Sequence, residues 1–282
     1  ELGHGTYGEV WLGVHKQTRH TRAVKEILAE KVRGDINAFK KEITNLTNLD
    51  HPHILKLYEV YSTPDMFYLI TDLCTGGELA KRIKDAKDAR HRIPERWTSS
   101  AMIQLMKAIA HIHAQGIIHL DLKSSNIMLM PSQDTGFETD YANSPEQGFR
   151  ERPHITVIDL GVAMHFKPGN FKGNRPMGTP ITMAPEVWKG EVTPEADIWS
   201  SACVLFEMLS FHMPFNITFR GHHEEVIDFW GMDPAPQWEK VRHASPPAVE
   251  LLKKMLQKDR RARPSAANLL KTAIYLKPHE PE

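Results

Sequence analysis

Asp121, Lys123 and Asn126 place a carboxylate, an ammonium and an amide within six positions, flanked by the apolar residues Ile117, Ile118, Ile127 and Leu129. One face of a loop built this way can serve a phosphoryl group. Asp121 would orient an acceptor hydroxyl, Lys123 would neutralise transferred charge, and Asn126 would ligate a metal ion. Further on, Asp159 ends the β-branched run 155–158 just before Leu160 and Gly161. A carboxylate at such a turn suits Mg²⁺ bridging phosphates. In isolation Asp159 reads as a turn cap; both stretches in this order make that reading untenable.

Two upstream features extend the constellation. Gly3, Gly5, Gly8 and Val10 form a G-x-G-x-x-G-x-V run. Glycines permit positive φ and let backbone amides approach phosphate oxygens. The G-x-G-x-x-G core also occurs in dinucleotide-binding turns, but those open a helix, whereas Val10 to Val14 continues as strand. Lys25 then follows Ala23 and Val24. A lone strand lysine is ordinarily exposed, and burying one is costly without negative partners. Phosphates and Glu42, on the next helix, would be those partners. An ion pair at ~4 Å gains about 4 kcal/mol at intermediate dielectric before desolvation, so the pair positions phosphates more than it stabilises the fold.

Certain elements must hold these groups. Residues 3–14, 21–28, 55–61 and 67–71 have strand character, and 39–49 carries Phe39, Ile43 and Leu46 on helical spacing. The polar connection 15–20 reads as a solvated hairpin tip. After Gly76 and Gly77, helical patterns run over 79–89, 96–114, 196–209, 248–257 and 265–276. The order is a small sheet-rich lobe, then a larger helical one. Residues 131–153, polar and turn-rich, read as a surface insertion.

With 35 Lys+Arg against 35 Asp+Glu, the 282-residue chain lacks the basic excess of a nucleic-acid or membrane-surface binder. Its two cysteines exclude a disulfide framework and favour a reducing compartment, so a cytoplasmic location is expected. No apolar run approaches the ~20 residues of a membrane span.

Taken together, these residues resemble the protein kinase family over essentially the whole chain. The run from Gly178 to the Ala184, Pro185, Glu186 triplet resembles the end of an activation segment. Asp197 resembles the family's buried helix start, and Arg263 sits where the family pairs an arginine with the residue matching Glu186. The resemblance implies an α+β bilobal kinase fold: a small antiparallel β-sheet lobe with one helix (residues 1–73) and a larger, mainly helical lobe with the hinge (74–282), the catalytic domain covering 1–276. It implies ATP and Mg²⁺ as cofactors and a protein serine/threonine kinase activity, with Lys25 among the catalytic residues. The Asp72 carbonyl and Cys74 amide would meet adenine, Glu78 the ribose, and Thr71 would guard the back of the pocket. Leu2, Val10, Ala23 and Met128 would enclose the nucleotide. Lys123 and Thr179 favour Ser/Thr over Tyr acceptors. The segments 42–54 and 75–79 look like the calcium/calmodulin-regulated group, most like calcium-dependent protein kinases of plants and protozoa. That likeness implies a calcium-sensor region outside this segment, because no D-x-[DN]-x-[DN]-G loop occurs here. Protein substrates are the expected partners, nucleic acid is not, and the chain is expected to act as a monomer.

Several residues depart from the family pattern. Leu120 stands where many relatives carry the arginine that meets an activation-segment phosphate. From Gly161 to Gly178 there is no Ser, Thr or Tyr. Independence from activation-loop phosphorylation follows as an expectation. Leu160 replaces a phenylalanine, an apolar swap that preserves packing. Ser124 and Ser125 replace Pro-Glu; Glu78 and Glu207 remain to favour a basic residue upstream of the acceptor. The pairs His51/His53, His111/His113 and His222/His223 read as structural, since residues two apart on a helix do not share a face. The competing function is a weakly catalytic pseudokinase scaffold of the same fold.

Overall fold

The computed structural model describes residues 1–5, 8–33, 36–130, 149, 152–160, 163–166, 178–217 and 222–277, excepting the side chains of residues 4, 5, 33, 38, 41, 42 and 223. The first lobe is one antiparallel sheet of five strands: β1 (Gly3–Gly5), β2 (Gly8–Val14), β3 (Thr21–Leu28), β4 (Leu57–Ser62) and β5 (Met66–Thr71). Their spatial order is β1-β2-β3-β5-β4, which leaves β4 at an edge. Ile27 and Leu69 turn to the inner face and pack with Val32 and Phe39. The Phe39 and Phe67 rings lie 4.8 Å apart. Each such side chain contributes about 1.5–3 kcal/mol by leaving water.

Two helices, not the single one expected, join β3 to β4. The first, α1 (Ala29–Arg33), starts directly after β3, where the Ala29 N–H donates to the Asp65 carbonyl at 2.8 Å. Five residues are too few for an apolar period to be visible. The second, α2 (Ile36–Asn48), begins three residues earlier than the apolar spacing suggested.

The larger lobe contains α3 (Leu79–Asp88), α4 (Glu95–Ala114), β6 (Ile117–Ile118), β7 (Ile127–Leu129), β8 (Ile155–Val157), β9 (Met164–His165), α5 (Pro185–Trp188), α6 (Glu195–Ser210), α7 (His223–Gly231), α8 (Pro246–Met255) and α9 (Ala266–Thr272). Helix α6 is buried almost all round, which explains its continuous apolar run. Among the described residues no helix is long and apolar enough to cross a membrane. Helix α7 was not legible beforehand. Its inward residues, Val226, Trp230 and the half-buried Phe229, form too sparse a stripe to register.

The Arg263 guanidinium forks onto the Glu186 carboxylate, with Nη1–Oε1 at 2.5 Å and Nη2–Oε2 at 2.7 Å, both side chains buried. Most of the 131–153 insertion (131–148, 150 and 151) lies outside the described residues. Phe149 departs from a purely superficial segment. It is 2% exposed, its ring lies 5.1 Å from Trp97, and the Arg82 guanidinium sits 4.8 Å above it.

Candidate active site

The turn between β6 and β7 gathers the polar triad of the sequence. Lys123 Nζ lies 2.8 Å from Asp121 Oδ2, and Asn126 Nδ2 donates to the same oxygen at 2.9 Å and to the Asp121 carbonyl at 2.8 Å. The Thr179 hydroxyl, from the far side of the activation segment, donates to Asp121 Oδ1 at 2.6 Å and receives Lys123 Nζ at 2.8 Å. Asp121 is thereby fixed at both oxygens. The sequence suggests for Thr179 only a role in acceptor choice; its contact with Asp121 joins residues 58 apart and has no local signal.

Behind this cluster, buried polar groups set the backbone. The fully buried Asp197 carboxylate accepts the His119 N–H at 2.8 Å, the Leu120 N–H at 2.9 Å and His113 Nε2 at 2.8 Å. Burial alone would raise its pKa. The hydrogen bond and charge of His113, with those of His119, outweigh burial and hold it below the usual carboxylate range. The His119 ring accepts the Asp121 N–H at Nδ1 (3.3 Å) and meets the Ile158 carbonyl at Nε2 (3.0 Å). A backbone N–H only donates and a carbonyl only accepts, so the proton rides on Nε2. His119 thus ties the Asp121 turn to the end of β8, one residue before Asp159.

Leu120 (φ 69°) and Asp159 (φ 64°) both hold left-handed backbone angles. Such angles cost about 1–3 kcal/mol for non-glycine residues and persist only where neighbours enforce them. Asp197 grips Leu120 from one side. On the other, Gly178 (φ +109°) approaches so closely that a Cβ there would lie 2.3 Å from the Leu120 carbonyl. The Leu120 side chain is 5% exposed within the main core. Asp159, by contrast, is exposed, and the Ile158 N–H donates to the Asn126 carbonyl at 3.0 Å, which holds the segments carrying Asn126 and Asp159 side by side.

The remaining predicted residues lie on the small sheet and the hinge. Lys25, half-buried in β3, pairs with Val10 and Leu69, and buried Ala23 pairs with Leu12 and with Thr71. Leu2 is half exposed beside β2, its N–H on the Val10 carbonyl at 2.7 Å. The Glu42 side chain lies outside the described residues, and with it the expected Lys25–Glu42 pair. At the hinge, the Asp72 carboxylate turns to Tyr58 (2.7 Å), the Thr71 hydroxyl reaches the Asp72 carbonyl at 3.3 Å, and burial followed by Asp72 pushes the Cys74 thiol up to about 12. Exposed Glu78 bridges to half-buried Met128.

These groups fit a nucleotide and a divalent cation. A Cβ on Gly3 would meet nothing within 4 Å, so internal packing does not demand glycine there and the space beneath is open. Gly8 is different: a Cβ would lie 1.7 Å from the Glu26 carbonyl, so its bare backbone serves the β2–β3 contact. Both lie in extended strand, and the missing side chain matters at these two positions rather than a left-handed angle. With Asn126 Nδ2 engaged, its amide oxygen is the atom suited to a cation beside Asp159. Among the described residues no cluster of three or more His, Cys, Asp or Glu forms another metal site.

Residues 1–274 match the protein kinase domain, and the chain belongs to that family. Membership carries ATP as phosphoryl donor and a divalent metal. Among the proteins it resembles are calcium-dependent protein kinase 6 of Plasmodium berghei, 34% identical over 95% of this chain and 16% of that protein, and calcium-dependent protein kinase 32 of Arabidopsis thaliana, 32% identical over 96% and 46%. Calcium-dependent protein kinase 5 of Plasmodium berghei is 36% identical over 77% and 34%. The chain thus spans less than half the length of these curated relatives.

Proposed function

We propose that this chain is a protein serine/threonine kinase that transfers the ATP γ-phosphate with Mg²⁺ and needs no phosphate on its activation segment. The observation that carries the reading is the four-membered network of Asp121, Lys123, Asn126 and Thr179.

ATP with its bound cation supplies the electrophilic phosphorus. The chain's own residues do the rest. Asp121, its carboxylate held on both oxygens, takes the hydrogen bond of an incoming serine or threonine hydroxyl and orients it. Lys123 brings a positive charge to the developing phosphoryl oxygens. Asp159 and the Asn126 amide oxygen hold the cation, and Lys25 holds the donor phosphates. Leu2, Val10, Ala23, Thr71 and Met128 enclose the base, the Asp72 carbonyl and Cys74 amide meet its edge, and Glu78 meets the ribose.

Phosphate independence is supported by Leu120. An arginine here would bring an unpaired cation to the catalytic turn; a buried leucine brings packing instead. Preference for a basic residue upstream of the acceptor is supported by Glu78, which is exposed beside the hinge. The second acid, Glu207, is held within the large lobe, where burial raises its pKa against the opposing Ser124 hydrogen bond and Lys87 charge. The names of the relatives make calcium the candidate regulator of the whole protein.

Radiolabelled phosphate transfer to a mixed Ser/Thr peptide with Mg²⁺-ATP tests the reading. Wild type should transfer and Asp159→Ala should not; no transfer by either would leave the scaffold alternative standing. Phosphatase-treated enzyme should retain its activity, and loss of most of it would overturn phosphate independence.

A further inference from the structure

On the small lobe, the polar hairpin 15–20 is exposed throughout, as expected of a solvated tip. It closes one side of a groove of about 550 Å³ whose other side is β4. The hairpin side presents His15, Lys16, His20 and Arg22; the opposite side presents Tyr58 and Tyr61; Val14, Val24 and Ile70 supply the apolar lining. We infer that this groove receives an extended, acidic segment of another protein carrying one apolar side chain.

Charge is the first argument. Residues 15–22 contain Lys16, Arg19, Arg22 and two histidines with no carboxylate. The one acid lining the groove, Glu59, already accepts the Tyr61 hydroxyl. An anionic partner therefore meets cations with little self-competition.

Preorganisation is the second. The Tyr58 hydroxyl is held by Asp72 at 2.7 Å while the Arg22 guanidinium lies 4.0 Å over its ring. On the hairpin, the Thr18 N–H donates to His15 Nδ1 at 3.1 Å, so the ring proton sits on Nε2 as a donor. A binding wall already in place loses less entropy on association.

The third concerns shape. β4 is an edge strand, and all five residues from Tyr58 to Ser62 are exposed. β4 has no lysine or proline, and its register shift lies at its start, between Leu57 and Glu59. Val24 and Ile70, paired across β3 and β5, floor the groove between the hairpin and β4, so an extended chain can lie over this face with alternate side chains directed into it.

The probe is a fluorescein-labelled twelve-residue peptide of Glu and Asp with one central Phe and no hydroxyl residue, so that it cannot be a substrate. Fluorescence anisotropy with the intact chain should show saturable binding. Lys16→Glu/Arg22→Glu should weaken it about tenfold or more, and Tyr61→Ala should weaken the Phe peptide but not a version with Ala in place of Phe. Both variants should keep the wild-type melting temperature and phosphotransfer rate, which separates lost binding from lost fold. Equal binding by wild type and charge-reversed protein would overturn the inference. So would stronger displacement by inorganic phosphate than by sodium chloride of equal ionic strength, which would assign a small anion, or concentration-dependent dimerisation abolished by Tyr61→Ala, which would assign a second copy.

Discussion

Thr179 Oγ1 donates to Asp121 Oδ1 at 2.6 Å, with Lys123 Nζ 2.8 Å from the same hydroxyl. A side chain of the activation segment thus braces the group proposed to orient the acceptor. Thr179→Val keeps shape and removes the hydroxyl. Its phosphotransfer rate should fall about 10–100-fold from misplacement of Asp121 and Lys123, with the KM for ATP little changed and Thr179→Ser restoring most of the rate. Steady-state kinetics on the three proteins decides it.

Gly178 is required on two counts, its φ of +109° and the 2.3 Å approach of a Cβ to the Leu120 carbonyl. Gly178→Ala should cost about 1–3 kcal/mol from the angle alone. It should also displace the catalytic turn, lowering the melting temperature and the rate together. A variant with wild-type values for both would refute this role.

Arg263 and Glu186 form a buried pair away from the reacting groups. Removing one partner, as in Arg263→Ala, should cost about 3–5 kcal/mol by stranding a buried charge. The paired replacement Arg263→Met/Glu186→Leu should recover much of that in a denaturant titration.

Four histidines pack in a chain of ring contacts: His111 on His51 (5.2 Å), His51 on His53 (5.5 Å) and His53 on His154 (5.2 Å). Burial, then the charges of His53, His111 and Lys107, lowers His51 to about 4; burial, His154 and Lys107 lower His53 against an opposing bond to the Ile155 carbonyl. Because the folded pKa lies below the unfolded one, the unfolded chain takes up protons first as the medium acidifies. Stability should be intact above about pH 6.5 and fall as pH approaches 4, the folded value of His51. His51→Asn, whose side-chain oxygen can accept the His53 N–H, should flatten melting temperature against pH across that window. An unchanged slope would refute the assignment.

Much of the candidate site's arrangement was legible because its residues lie close in sequence. Asp121, Lys123 and Asn126 lie within one turn, and their spacing alone predicts a shared face. Strand and helix limits followed the apolar pattern to within a few residues, as for β3 and α4. What stayed hidden depends on contacts between distant parts of the chain. Spacing arguments on single helices could not bring His51, His53, His111 and His154 together, since three different elements supply them. Nor could composition show that Phe149 leaves a polar segment to pack on Trp97, or that α1 forms from five residues.

Backbone hydrogen bonds tie the hinge and the chain after α2 to the body of the large lobe. At the hinge, the Gly76 N–H donates to the Leu129 carbonyl at 2.9 Å and the Leu129 N–H to the Gly77 carbonyl at 2.8 Å; beside β8, the Leu55 N–H donates to the Val157 carbonyl at 2.9 Å. Two fixed points define an axis. A swing of the small sheet about the line joining Gly76 and Leu55 would leave these bonds in place. Sliding the sheet across the large lobe would break them and would also drag Leu46 of α2 and the adjoining Leu49 out of the main core.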